Sequence, residues 1–131
     1  MGGKILVVDD EGETLNLLKA TLVLEGYEVA AAITGKAGVE LASEFRPDVI
    51  LLDVMMPDLT GLEVLEIIKK QLKSPPPVIF LSAAGRVDDI DVGLKAGAYK
   101  YLVKPIPRAT LIETVKSALE WRQKAQRRRI Y

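Results

Sequence analysis

The sequence predicts an α/β domain built on a doubly wound, five-stranded parallel sheet with helices on both faces. Short aliphatic runs alternate with helical patterns five times, with no internal repeat and no low-complexity tract, which is the signature of successive βα units. Residues 49–52, Val-Ile-Leu-Leu, are four consecutive aliphatics, as in a strand buried on both faces inside a parallel sheet. The 131 residues suffice for one domain with a proper core, and right-handed crossovers then distribute the helices over both sides.

Taken in order, residues 4–8 form a first strand that runs into Asp9, Asp10, Glu11 and Gly12. A helix follows over about residues 13–25 with Leu15, Leu18, Leu22 and Val23 on its inner face, and Gly26 closes it at the C′ position. Residues 27–32 make a weaker strand. Thr34 caps a helix over about residues 35–45 whose inner stripe is Ala37, Leu41 and Phe45, and Pro47 breaks it. The third strand ends on Asp53, and Pro57 prevents its continuation. After Gly61 a third helix reaches about residue 72, with Leu62, Leu65, Ile68 and Leu72 facing inward. Pro75, Pro76 and Pro77 form a rigid connection to a strand at residues 78–81, which ends on Ser82. Beyond the small residues Ala83, Ala84 and Gly85, a helix over about residues 87–95 is poor in propensity, carrying Asp88, Asp89, Asp91, Val92 and Gly93. Gly97 ends it, residues 99–103 form the fifth strand up to Lys104 and Pro105, and a long last helix starts near Arg108 with Leu111, Val115 and Leu119 buried.

Composition narrows the chemistry. With 49% hydrophobic and 27% charged residues the chain reads as a globular protein with an aliphatic core, since aromatics make up only 5%. There is no cysteine and no histidine, so disulfides, thiol chemistry, Cys/His zinc sites and histidine-based triads are excluded. No signal-like leader or membrane-length apolar run is visible, and the expected location is cytoplasmic. Net charge is +0, yet the last ten residues hold five basic groups and no acid, leaving −5 on residues 1–121.

In an open α/β sheet, ligands bind outside the carboxyl ends of the strands. Four of the five strand ends here carry Asp9 and Asp10, Asp53, Ser82 and Lys104. Three carboxylates at one sheet edge repel one another unless a cation joins them, and oxygen ligands from Asp10, Asp53 and nearby carbonyls suit Mg²⁺. The lysine and the hydroxyl add two groups that stabilise charge on a transferring phosphoryl group. With no Ser-His or Cys pair to attack phosphorus, a carboxylate must be the nucleophile, and Asp53 at the end of the central strand is the natural one. Singly, each residue has an ordinary reading: a solvated turn or helix cap for Asp9 and Asp10, a strand-ending turn for Asp53, a cap for Ser82, a surface lysine for Lys104. Their coincidence at successive strand ends favours the joint reading.

Over residues 4–122 the chain resembles a two-component response-regulator receiver domain of the chemotaxis-response-regulator-like kind. The resemblance rests on residues 5–11 (Ile-Leu-Val-Val-Asp-Asp-Glu), 51–61 (Leu-Leu-Asp-Val-Met-Met-Pro-Asp-Leu-Thr-Gly), 81–83 (Leu-Ser-Ala) and 101–106 (Tyr-Leu-Val-Lys-Pro-Ile), in that order and spacing. It implies a flavodoxin-like (βα)5 fold with strand order 2-1-3-4-5. It further implies that Asp53 accepts a phosphoryl group from a sensor histidine kinase or phosphotransfer protein. Asp10, Asp53 and the backbone carbonyl of Met55 would hold Mg²⁺, with Asp9 acting through water. Ser82 and Lys104 would bind phosphoryl oxygens, Lys104–Pro105 would be a cis peptide, and Ser82 and Tyr101 would form the switch. The helix 4/strand 5/helix 5 face would then act on an output domain or downstream protein, or on a second copy by dimerisation.

Three departures from the family pattern bear on behaviour. Ser82 stands where Thr is commoner and supplies the same hydroxyl. Met55 and Ala84 place no carboxylate or amide beside the phosphoryl group, which implies slow self-hydrolysis. Residues 123–131 form a basic tail, read as a helix end or a linker, with a nucleic-acid patch the weaker alternative and no membrane role. Two other functions compete with the phospho-switch. A haloacid-dehalogenase-type phosphatase also uses a strand-end aspartate with Mg²⁺, but wants a second Asp where Met55 stands, and has a cap domain. A receiver acting by contact alone has no need of Asp53, Ser82 and Lys104.

Overall fold

The aliphatic runs form the centre of a five-stranded parallel sheet in which the second strand of the chain lies outermost, followed by the first, third, fourth and fifth. The computed structural model describes residues 2–130. Its elements are β1 (Lys4–Val8), α1 (Gly12–Leu24), β2 (Glu28–Ala32), α2 (Gly35–Glu44), β3 (Val49–Asp53), α3 (Gly61–Gln71), β4 (Val78–Ser82), α4 (Val87–Lys95), β5 (Lys100–Val103) and α5 (Arg108–Ile130). The predicted fold class and strand order are those observed. Met1 and Tyr131, the outer ends of the expected receiver domain (1–122) and basic tail (123–131), lie outside the described residues.

The two-residue period of the strands divides the core into two layers. Ile5, Val7, Val49, Leu51, Ile79 and Leu81 point to one face and pack with Leu15, Leu18 and Leu22 of α1 and Leu111, Val115, Ala118 and Leu119 of α5. Leu6, Val8, Ile50, Leu52, Val78 and Phe80 point to the other, against Ala42 of α2 and Val64, Leu65 and Ile68 of α3. Burying each of these large side chains contributes about 1.5–3 kcal/mol, so the three central strands hold the platform on which the site is built.

Local signals place most helix ends. Thr34 Oγ1 accepts from the Ala37 amide at 3.1 Å, as its cap role predicts. Thr60 and Glu63 form a reciprocal capping box at the start of α3 that the sequence reading did not draw out. Gly26 has φ +91°, a left-handed conformation that a glycine adopts without strain.

Some expectations need correction. Val23 is not on the inner face of α1 but 50% exposed, because the buried stripe is Leu15, Leu18 and Leu22 alone. Phe45 is the C-cap of α2 and only half-buried, with the Lys4 ammonium 5.1 Å from its ring centre. Ala37, Leu41, Leu62 and Leu72 are also partly rather than fully buried, while Gly38 and Val64 take the tightest places. Tyr27 and Tyr99 lie just outside their strands.

The basic stretch continues α5 as helix to Ile130. Arg122 ties this helix to the loop before β4, its Nη1 donating to the Ser74 carbonyl at 2.9 Å, the Ser74 hydroxyl at 3.2 Å and the Pro75 carbonyl at 3.0 Å.

Candidate functional site

Parallel pairing brings the C-terminal ends of β1, β3, β4 and β5 to one edge. Asp53, the last residue of β3, is 6% exposed; Asp9, just past β1, and Ser82, the last residue of β4, are wholly buried. The Asp9 amide donates to the Ala32 carbonyl and the Lys104 amide to the Ser82 carbonyl, so ladder bonding carries the backbone one residue past the strands on both sides. The Lys104–Pro105 peptide is cis. Gly61 lets α3 start hard against the end of β3: a Cβ there would lie 2.6 Å from the Asp53 carbonyl oxygen.

Lys104 joins the two buried carboxylates. Its Nζ donates to Asp9 Oδ2 at 2.8 Å and to Asp53 Oδ2 at 3.2 Å, across 95 and 51 residues of sequence. Each carboxylate satisfies its other oxygen on a backbone amide two residues ahead, Asp9 from Glu11 and Asp53 from Met55, both at 3.0 Å. Asp9 is therefore not the cap of α1; Glu11 is. Asp10 is exposed and accepts no hydrogen bond among the described residues.

Burial pushes the Asp53 carboxyl up to about 6; the Met55 amide and the Lys104 charge partly oppose this, and the Asp9 charge adds to it. For Lys104, burial works against the ammonium. The hydrogen bond to Asp9 and the charges of Asp53 and Asp9 outweigh it and raise its pKa above the ordinary value, so the ammonium persists.

Asp9, Asp10 and Asp53 each offer an oxygen within 4.8 Å of the others. One ammonium cannot neutralise three carboxylates, and an all-oxygen donor set with one exposed, unengaged member fits a hydrated Mg²⁺. Ser82 is bonded within its own loop instead: its Oγ accepts from the Ala84 amide at 3.0 Å. Tyr101 does not touch the carboxylates either. Its hydroxyl donates to the Ala84 carbonyl at 2.6 Å, and its ring lies edge-on to Phe80 with centres 6.1 Å apart.

The chain is similar to known proteins in sequence and in fold. A family profile described as response regulator receiver domain matches residues 5–116. The chain belongs to that family. It is 44% identical over 119 residues to the transcriptional regulatory protein PrrA of Mycobacterium tuberculosis, covering 91% of this chain and 51% of that protein. The chain thus spans about half the length of the curated relatives it matches. Among solved structures, a CheY-like receiver domain protein from Methanospirillum hungatei superposes with a TM-score of 0.88 at 30% identity, covering 95% of this chain and 99% of that one. A receiver domain protein from Clostridium thermocellum gives 0.87 at 33% identity, with 94% and 98% covered. The chain is a receiver domain of two-component signalling, a signalling protein and not a classical enzyme. Among the described residues no helix is long and apolar enough to cross a membrane.

Two structural contributors had no clear signal in the sequence. Ala84 serves both Ser82 and Tyr101 through its backbone, which any residue could do. Asp58, 23 and 22 residues away from its partners, accepts from the Gly35 and Lys36 amides at the start of α2, and these bonds hold its carboxyl below the usual range.

Proposed function

We propose that Asp53 is the phosphoacceptor of this receiver, taking a phosphoryl group from a phosphohistidine on a sensor kinase or phosphotransfer protein. The observation that carries the reading is the Lys104 ammonium bridging Asp9 and Asp53 at the sheet edge. An oxygen of Asp53 attacks phosphorus, a P–O bond forms, the P–N bond breaks, and the departing imidazole takes up a proton. Lys104 holds a positive charge against the incoming phosphoryl oxygens, and the Met55 amide orients the attacking carboxylate.

Mg²⁺ would be held by Asp10, Asp53 and the Met55 carbonyl, and bound there it neutralises charge between carboxylate and phosphate. Asp9 would reach the ion through water. After transfer, the new charge draws the Ser82 hydroxyl away from the Ala84 amide toward a phosphoryl oxygen. The Tyr101 ring, bonded to the carbonyl of the same Ala84, responds, and the α4–β5–α5 face changes with it. That face would control an output domain, a downstream protein or a second copy. Residues 1–122 then act as the cytoplasmic phosphoacceptor unit and 123–131 as the helix end or linker toward what is controlled.

The test is incubation with a small phosphodonor and Mg²⁺ followed by intact mass. One added phosphoryl group per chain is expected, absent without metal and absent in Asp53→Ala. No adduct on the unaltered protein, or an adduct that survives Asp53→Ala, would sink the assignment.

A further inference from the structure

Gly93 lies inside α4, buried, where glycine is the least favourable helix residue after proline. Its backbone does not need glycine, since only Gly26 and Gly97 among the described glycines have positive φ. What needs it is space. A Cβ at this position would lie 2.8 Å from Cδ2 of Tyr101 and 3.1 Å from Cδ2 of Phe80. Phe80 is fully buried in the centre of the sheet and cannot retreat. Tyr101 is half-buried, at the sheet's edge strand, and can move only by giving up its contact with Phe80 and its 2.6 Å bond to Ala84.

We propose that Gly93 is a positioning residue of the switch: the side chain it lacks is the space in which the Tyr101 ring lies inward. This rests on the reading of Asp53 as phosphoacceptor and of Tyr101 as the ring that responds. An alanine at position 93 closes the inward place and leaves an outward ring untouched. The inward fraction falls, and the apparent affinity for any anion favouring that state falls by the same factor. Alanine also favours the helix, which offsets part of what the displaced ring gives up. A purely structural glycine would lose stability and switching alike whether or not the Tyr101 ring is present, and a mere propensity defect would gain stability with switching unchanged.

The experiment titrates beryllofluoride with Mg²⁺ into the full chain by calorimetry, with thermal midpoints measured alongside. The proteins are the unaltered chain, Gly93→Ala, Tyr101→Ala and the double variant. Gly93→Ala is expected to weaken binding about tenfold, within the usual range of coupling between sites. In the Tyr101→Ala background the same substitution is expected to change affinity little, because the ring it would strike is gone. Equal affinity with and without Gly93→Ala overturns the proposal. So does an equal loss in the Tyr101→Ala background, which would put the clash elsewhere; this comparison decides the matter even if Gly93→Ala lowers the midpoint. Failure of the unaltered chain to bind beryllofluoride overturns instead the phosphoacceptor reading, and the proposal with it.

Discussion

The hydroxyl of Tyr101 donates to the Ala84 carbonyl at 2.6 Å while the Ala84 amide donates to Ser82 Oγ at 3.0 Å, so one residue of the β4–α4 loop holds both side chains. Tyr101→Phe keeps the ring against Phe80 and removes the bond to the loop. A hydrogen bond of this kind contributes about 1 kcal/mol net. Amide exchange at residues 83–86 is expected to quicken about fivefold, with a roughly two- to fivefold drop in beryllofluoride affinity. Exchange and affinity both unchanged would show that the ring alone carries the coupling.

The parts of the fold written in side-chain chemistry were legible. Fully apolar runs at residues 5–8, 49–52 and 78–81 mark strands covered on both faces, and those strands are the buried centre of the sheet. Asp9, Asp53, Ser82 and Lys104 stood out because polar residues closing such runs must share one edge once the strands are parallel. What stayed hidden depends on tertiary distance. Val23 fits a helical stripe by spacing, yet of α1 only Leu15, Leu18 and Leu22 join the buried cluster on that face of the sheet. Gly93 looked like a flaw in a weak helix because the ring it accommodates lies eight residues on, in a different element. The role of Asp58 lies with two amides more than 20 residues back.

Asp58 gives a pH signature. Its carboxylate accepts from two amides at the N-terminus of α2, where the helix dipole also favours negative charge, and its folded pKa is depressed. A depressed carboxyl stabilises the fold above its unfolded pKa, near 4, and that contribution disappears as pH falls through the folded value. Asp58→Asn is therefore expected to lower the thermal midpoint at pH 7, with the gap to the unaltered protein closing below about pH 4. A gap that stays constant down to pH 2.5 would assign the effect to lost geometry instead of charge.

Asp53 carries the opposite sign. Its pKa is raised to about 6, chiefly by burial, so its ionised form costs the fold free energy. That cost is absent below the unfolded pKa near 4, grows between pH 4 and 6, and is complete above. In EDTA, Asp53→Asn is expected to stabilise the protein by up to about 2 kcal/mol at pH 7.5 and by little at pH 4.5. Saturating Mg²⁺, which by the proposed assignment binds the folded unaltered chain, should narrow the difference at pH 7.5. Denaturant midpoints at the two pH values check this. An equal gain at both would mean that the carboxylate's charge is not what the substitution relieves.

Met55 bears on how long the signal lasts. It is 66% exposed, its amide is committed to Asp53, and its side chain offers no group to hold a water near the acyl phosphate; Ala84 offers none either. Hydrolysis requires a water oxygen to attack phosphorus in line while the bond to the Asp53 oxygen breaks, releasing inorganic phosphate and restoring the carboxylate. With no side chain at these two positions to orient that water, the proximity advantage would be absent and the adduct is expected to persist. Met55→Asn places an amide carbonyl and two N–H donors at the exposed rim of the site. Loss of phosphate is then expected to accelerate about tenfold, followed by intact mass after the phosphodonor is removed. An unchanged half-life would mean that the water is positioned by the metal shell and backbone, and that Met55 has no part in the timing.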